Sequence, residues 1–140
     1  MKYLYMDDPE VARVVADEEK RLENTLDLIA AENYSPRSIM DAQGPLFCIK
    51  AAEGYPANRF HAGCRHVDQL EKIAVDRARR LFGAEHANVQ SHSGVSANLA
   101  VYFSVLETGA PVLSMNLSHG GHLSHGDTSS IVFGFRKRAA

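Results

Sequence analysis

The stretch EHANVQSHSGVSANLAVYFSVLETGAPVLSMN, residues 85–116, constrains the fold more than any other part of the chain. A short strand-like run, Ala87 to Gln90, enters a turn of small residues, Ser91 to Gly94. A nearly all-apolar helix begins there and is expected to end at Gly109, before a second strand-like run, APVLSMN. Strand, helix, strand is the pattern of a parallel sheet, so the expected fold class is α/β. A helix apolar around its whole circumference belongs in an interior, and this one is expected to be largely buried.

The flanking sequence supplies helices. Asp8 as N-cap, Pro9 at the first helical position and Glu10 in the first turn open an N-terminal helical arm. Val11, Val14, Val15, Leu22, Leu26 and Ile29 then fall on one stripe, and the helix is expected to run to the AENYSP segment. Ser35 and Pro36 restart a shorter helix through RSIMDAQG. The segment IKAAEGYPANRFHAGC has no period and reads as a loop, of a length that is often functional. VDQLEKIAVDRARRLFG is a further helix, with Arg79 and Arg80 in its last turn and Gly83 as its stop. The expected organisation is an arm over 1–34, a helix and loop over 35–66, and the start of an α/β domain over 67–140.

Bulk properties exclude several functions. A formal charge of −2 makes no electrostatic case for nucleic acid or an anionic membrane. No run approaches the roughly 18 apolar residues of a membrane span, and the acidic start does not suit a secretory signal. Cys48 and Cys64 make no disulfide framework, so a cytoplasmic location is expected. The short basic run in FGFRKRAA is read as a solvated tail.

Three motifs carry chemistry. The turn before the apolar helix can bind an anion: first-turn N–H groups and the helix dipole converge, Gly94 admits close approach, and Ser91 and Ser93 add hydroxyls. Plain N-capping by serine is the alternative. NLSHGGHLSHG sets His119, His122 and His125 three apart, which fits a zinc site, a polar loop, or an aromatic platform for a flat ring. In the long loop, Glu53 can be a catalytic carboxylate or an exposed loop acid. Arg59 can hold a substrate carboxylate or be an ordinary surface arginine.

Taken together, LDLIAAENYSP, AAEGYPANRFHAGCRHVDQLEKIAVDRARRLFGAEHANVQSHSG and NLSHGGHLSHG resemble serine (glycine) hydroxymethyltransferases, in that family's order and spacing, from about residue 20 to 128. The resemblance implies a pyridoxal-phosphate enzyme of the aspartate-aminotransferase fold type, with tetrahydrofolate as co-substrate and a homodimeric or tetrameric assembly. It implies that Ser93 and Gly94 sit at the cofactor phosphate and that His122 stacks on its ring. It also implies that Glu53 relays a proton, and that Leu117, Leu123 and His61 lie near substrate or folate, with no metal. Where the family has serine, tyrosine, a tyrosine pair and a second serine, this chain has Ala31, Ala51, Phe60 with His61, and Val95. Loss of the tyrosine at Ala51 opens space for a bulkier substrate of the α-methylserine type. The family's Schiff-base lysine follows Thr-His, and none of Lys2, Lys20, Lys50, Lys72 and Lys137 has that context. An N-terminal portion of such an enzyme, inactive by itself, is therefore expected, with its apolar helix uncovered. A non-catalytic module that pairs with a full-length paralogue is the alternative.

Overall fold

The computed structural model describes residues 2–44 and 46–125. The run SSIVFGF, the basic tail and Lys137 lie outside the described residues. The chain divides into two compact units, Met1–Lys50 and Ala51–Ala140. The division falls inside the segment that sequence periodicity leaves as one loop.

The first unit is helical. Helix α1 (Lys2–Asp7), which has no signature in the sequence, leads directly into α2 (Pro9–Asn24). Asp8 caps α2 as its sequence requires, its carboxylate accepting from the Val11 N–H at 3.0 Å. Glu10 lies in the first turn, beside the positive end of the dipole. The helix stops at Asn24, earlier than the apolar stripe suggests, and Leu26 and Ile29 lie beyond it in the open. Local polar contacts favour that stop, because Thr25 Oγ1 donates back to the Arg21 carbonyl and Asn24 Nδ2 to that of Lys20. Ala12 is fully buried, whereas Val11, Val14 and Val15 of the same stripe stay exposed. Helix α3 (Arg37–Gln43) follows Pro36, and Arg37 reaches Glu19 of α2 at 3.0 Å. At 84% exposure for the arginine, that pair contributes little.

The second unit opens with a two-stranded antiparallel hairpin, β1 (Gly54–Tyr55) and β2 (Asn58–Arg59), where a loop is expected. Four paired residues are too few to show a period of two, so the hairpin is silent in the pattern. Its corner is Pro56, preset for the first turn position, followed by Ala57 at φ +67°, as in a type II turn. Gly54 is required: φ is +97°, and a Cβ there would run into the Asn58 carbonyl oxygen.

Helix α4 (Arg65–Phe82) ends at Gly83, which is left-handed at φ +61° and donates to the Arg79 carbonyl. Helix α5 (Gly94–Val105) starts at the small-residue turn and stops four residues short of Gly109. Among the described residues the two strand-like runs, 87–90 and 110–116, form no ladder, so no parallel βαβ unit is present there. An extended run becomes a strand only when a neighbour satisfies its backbone, and these two do not pair with each other. The coarse class is mixed helix and sheet. Nor is α5 buried: Val101, Phe103 and Val105 each expose more than half their surface.

Apolar packing does not hold this unit together, since Cys64 is its one buried apolar residue among the described residues. The hairpin is fastened to α4 by Arg59, whose side chain is only 5% exposed. Cys64, ahead of α4, turns its thiol toward the carbonyls of Ala51, His61 and Ala62, while Cys48 of the first unit is exposed.

Ala57 bears a Cβ in a backbone region that costs an L-residue about 1–2 kcal/mol. Ala57→Gly is expected to stabilise the second unit by about 1 kcal/mol after the added chain entropy of glycine is set against that relief. A rise in the urea midpoint at constant m-value checks it.

Candidate functional site

Arg59 organises one side of the site. Its Nε donates to Asp68 Oδ1 at 2.8 Å and its Nη2 to Glu71 Oε2 at 2.6 Å, both on α4. Its Nη1 donates to the carbonyls of Ala52 and Gly54 at 2.7 and 2.9 Å. Four donors are thus spent inside the protein, and the expectation that Arg59 can hold a substrate carboxylate is corrected. The residue is a buried fastener, because a guanidinium removed from water must satisfy its fork internally. Asp68 also accepts from the Ala57 N–H at 2.9 Å. That backbone bond, then Arg59, holds the Asp68 carboxyl below its ordinary range, while Asp68 and Glu71 raise the guanidinium.

Gln90 extends the node to the segment before α5. Its Nε2 donates to Glu71 Oε1 at 2.7 Å and to the Gly54 carbonyl at 2.9 Å. A cleft of about 550 Å³ lies between hairpin, α4 and this segment. Val67, Leu70, Ala74 and Val89 line it, together with Glu53 and His92. Glu53 is 76% exposed, with Oε2 3.5 Å from His61 Nε2. An accessible carboxylate beside an imidazole can take and release a proton.

His92 leads directly to Ser93, the N-cap of α5. Ser93 Oγ accepts from the Ser96 N–H at 3.1 Å, and Ser96 Oγ accepts from the Ser93 N–H at 3.0 Å, a reciprocal capping box. Capping and anion binding are compatible here. Among the described residues nothing accepts from the Gly94 and Val95 N–H groups, and the space where a Gly94 Cβ would stand is open. Val95 is half-buried.

The histidine loop folds on itself. Leu117–His119 form one 3₁₀ turn, capped by Asn116 Oδ1 accepting from the Ser118 N–H. Gly121 is forced by closeness, since a Cβ would run into the Met115 carbonyl oxygen. His122 and His125 face each other with ring centroids 5.4 Å apart. Ser124, 1% exposed, sits between them. Its Oγ lies 2.7 Å from His122 Nδ1 and 3.0 Å from His125 Nδ1, and it accepts from Asn98 Nδ2 of α5 at 2.6 Å. Among the described residues no three His, Cys, Asp or Glu side chains converge, and hydrogen bonds through Ser124 hold the loop. Leu117 and Leu123 are exposed.

The structure therefore joins Ser93 and Gly94 to His122 through α5, Asn98 and Ser124, over about 7–8 Å of helix. His92 brings the same turn to the cleft that Glu53 lines. Neither His122 nor Gly94 lines that cleft, and His61 touches only the Glu53 edge. Of the altered positions, Phe60 is 83% exposed, Ala51 offers its carbonyl to Cys64, and Ala31 belongs to the first unit. Sequence inspection missed Asn98, Ser124 and Gln90. An asparagine inside an otherwise apolar helix was the available signal, because such a group needs a partner.

The serine hydroxymethyltransferase family profile matches residues 4–135. A serine hydroxymethyltransferase of Dehalococcoides mccartyi is 48% identical over 132 residues, covering 94% of this chain and 32% of the relative. The chain thus spans about a third of that relative's length.

Acid should loosen the Arg59 node. The folded-state value of Asp68 is depressed, so its contribution is fully present above the unfolded value of about 3.9 and is lost as pH falls through the folded value. Asp68→Asn is expected to lower the urea midpoint at neutral pH, and the gap from wild type should close below about pH 4. A gap of constant size would show that ionised Asp68 does not sustain the node.

Proposed function

We propose, from the premise that this chain belongs to the serine hydroxymethyltransferase family, that its second unit supplies the phosphate-and-ring half of a pyridoxal-phosphate site. The family is one of pyridoxal-phosphate-dependent transferases. The reaction proposed for the assembled enzyme moves a hydroxymethyl group between serine, or a relative of it, and tetrahydrofolate, in an oligomer of this chain's kind. The single observation that carries the proposal is the Asn98–Ser124 bond, which ties the histidine loop to the helix capped by Ser93.

The residues suit the group. Two unspent first-turn amides and open space at Gly94 favour a phosphate, and the helix dipole adds to them. His122 offers an exposed imidazole face on a loop closed around its own polar centre. When bound, pyridoxal phosphate supplies the electron sink that lets a bond at an amino acid's α-carbon break. The chain's own part is to orient and to move protons. Ser93 and the Gly94 and Val95 amides would fix the phosphate, and His122 would hold the ring plane. Glu53, steadied by His61, would exchange a proton with substrate or folate, and Leu117 and Leu123 would cover the folate's apolar surface. The covalent anchor is proposed to come from outside these 140 residues, since none of their lysines follows Thr-His. A finer proposal follows from Ala51: without a tyrosine there, the site would accept an α-methylserine-like substrate.

A module that modulates a longer paralogue is the second reading, favoured by the exposed valines of α2. Co-elution with such a paralogue, together with a change in its turnover, is its signature.

Titration of the purified chain tests the main proposal. Pyridoxal phosphate should bind more tightly than phosphate-free pyridoxal, and Ser93→Ala should weaken it about tenfold, the value of one hydrogen bond to a charged group. Equal binding of the two compounds would overturn the phosphate assignment. In the assembled enzyme, Ala51→Tyr should shift preference from α-methylserine toward serine, and unchanged relative kcat/KM values would dispose of the substrate proposal.

A further inference from the structure

The donors and acceptors around Ser124 can be assigned one by one. The backbone N–H of Ser124 points at His122 Nδ1 at 3.1 Å. An N–H can point there only if Nδ1 offers a lone pair, so the neutral ring carries its proton on Nε2. Ser124 Oγ lies 2.7 Å from that same atom. With no proton on Nδ1, the hydroxyl donates to the same lone pair, a three-centre bond shared with the Ser124 N–H, and its one hydrogen is thereby spent. Two lone pairs remain on Oγ. One accepts from Asn98 Nδ2 at 2.6 Å. The other faces His125 Nδ1 at 3.0 Å, so that atom must be the one bearing hydrogen. Every capacity of the hydroxyl is then filled, as a group only 1% exposed requires.

We propose that Ser124 is a positioning residue, whose buried hydroxyl holds His122 as the Nε2–H tautomer and His125 as the Nδ1–H tautomer. The neighbouring rings thus have opposite tautomers, set by one oxygen between them. Because Asn98 belongs to α5, the same oxygen also fixes the loop to the helix capped at Ser93. The consequence for His122 is directional. Its inner edge is committed to residue 124, and its outer edge presents an N–H donor at an exposed position. The proposal rests on the reading of His122 as the ring platform only for its functional meaning; the tautomers themselves are a property of the free chain.

Nitrogen-resolved NMR of the histidine rings in the 140-residue chain, at about pH 8.5 where imidazoles are neutral, reads the assignment directly. Wild type should show a lone-pair Nδ1 and a protonated Nε2 for His122, and the reverse for His125. Either ring with the other tautomer, or an averaged His122, overturns the proposal without any variant being made. Ser124→Thr, which keeps the hydroxyl, should preserve both patterns. Ser124→Ala should shrink the separation of the His122 nitrogen resonances toward the solvent average, and an unchanged separation would show that the hydroxyl is not the lock. No cofactor enters these measurements. Failure of pyridoxal phosphate to bind would therefore leave the tautomer result standing, and the reverse also holds.

Discussion

The guanidinium of Arg59 is the interaction on which the second unit depends. Small apolar side chains contribute little interior here, so the hairpin, α4 and the segment before α5 meet around a charge instead of an oily core. Such a centre is directional where an apolar one is not. Each N–H demands an acceptor at a set angle, and the carbonyls of Ala52 and Gly54 meet that demand only with the hairpin in its observed register. Breaking one arm leaves ionised groups short of partners, which is why buried charge networks fail together.

A second polar centre, Ser124, does for the histidine loop what Arg59 does for the hairpin. Both sit where backbone comes close to backbone, at Gly54 and Gly121, and both gather side chains from elements distant in sequence. Glu53 and the capped turn are carried by the first centre through Gln90 and His92, and His122 by the second.

The legible parts of the sequence were those governed by local rules. Asp8, Pro9, Gly83 and the Ser93 turn each mark a helix end through their own backbone chemistry, and the helices lie where those residues put them. The family motifs were legible as long runs in register. The illegible parts depended on partners remote in the chain. The hairpin at 54–59 has too few residues for a period, and its stability comes from α4. Arg59 looks like any surface arginine until the two carboxylates one helical turn apart, Asp68 and Glu71, are seen to face it. The strand-like runs flanking α5 have the composition of sheet without a ladder to join, and the burial expected of α5 is likewise absent.

The two cysteines differ in a way that is useful at the bench. Cys64 is enclosed at 5% exposure with its sulfur against three carbonyls, whereas Cys48 stands open at the end of the first unit. A bulky maleimide should therefore modify the native chain at one sulfur only. A dye or spin probe can be installed there without a single substitution, leaving the Arg59 and Ser124 centres untouched.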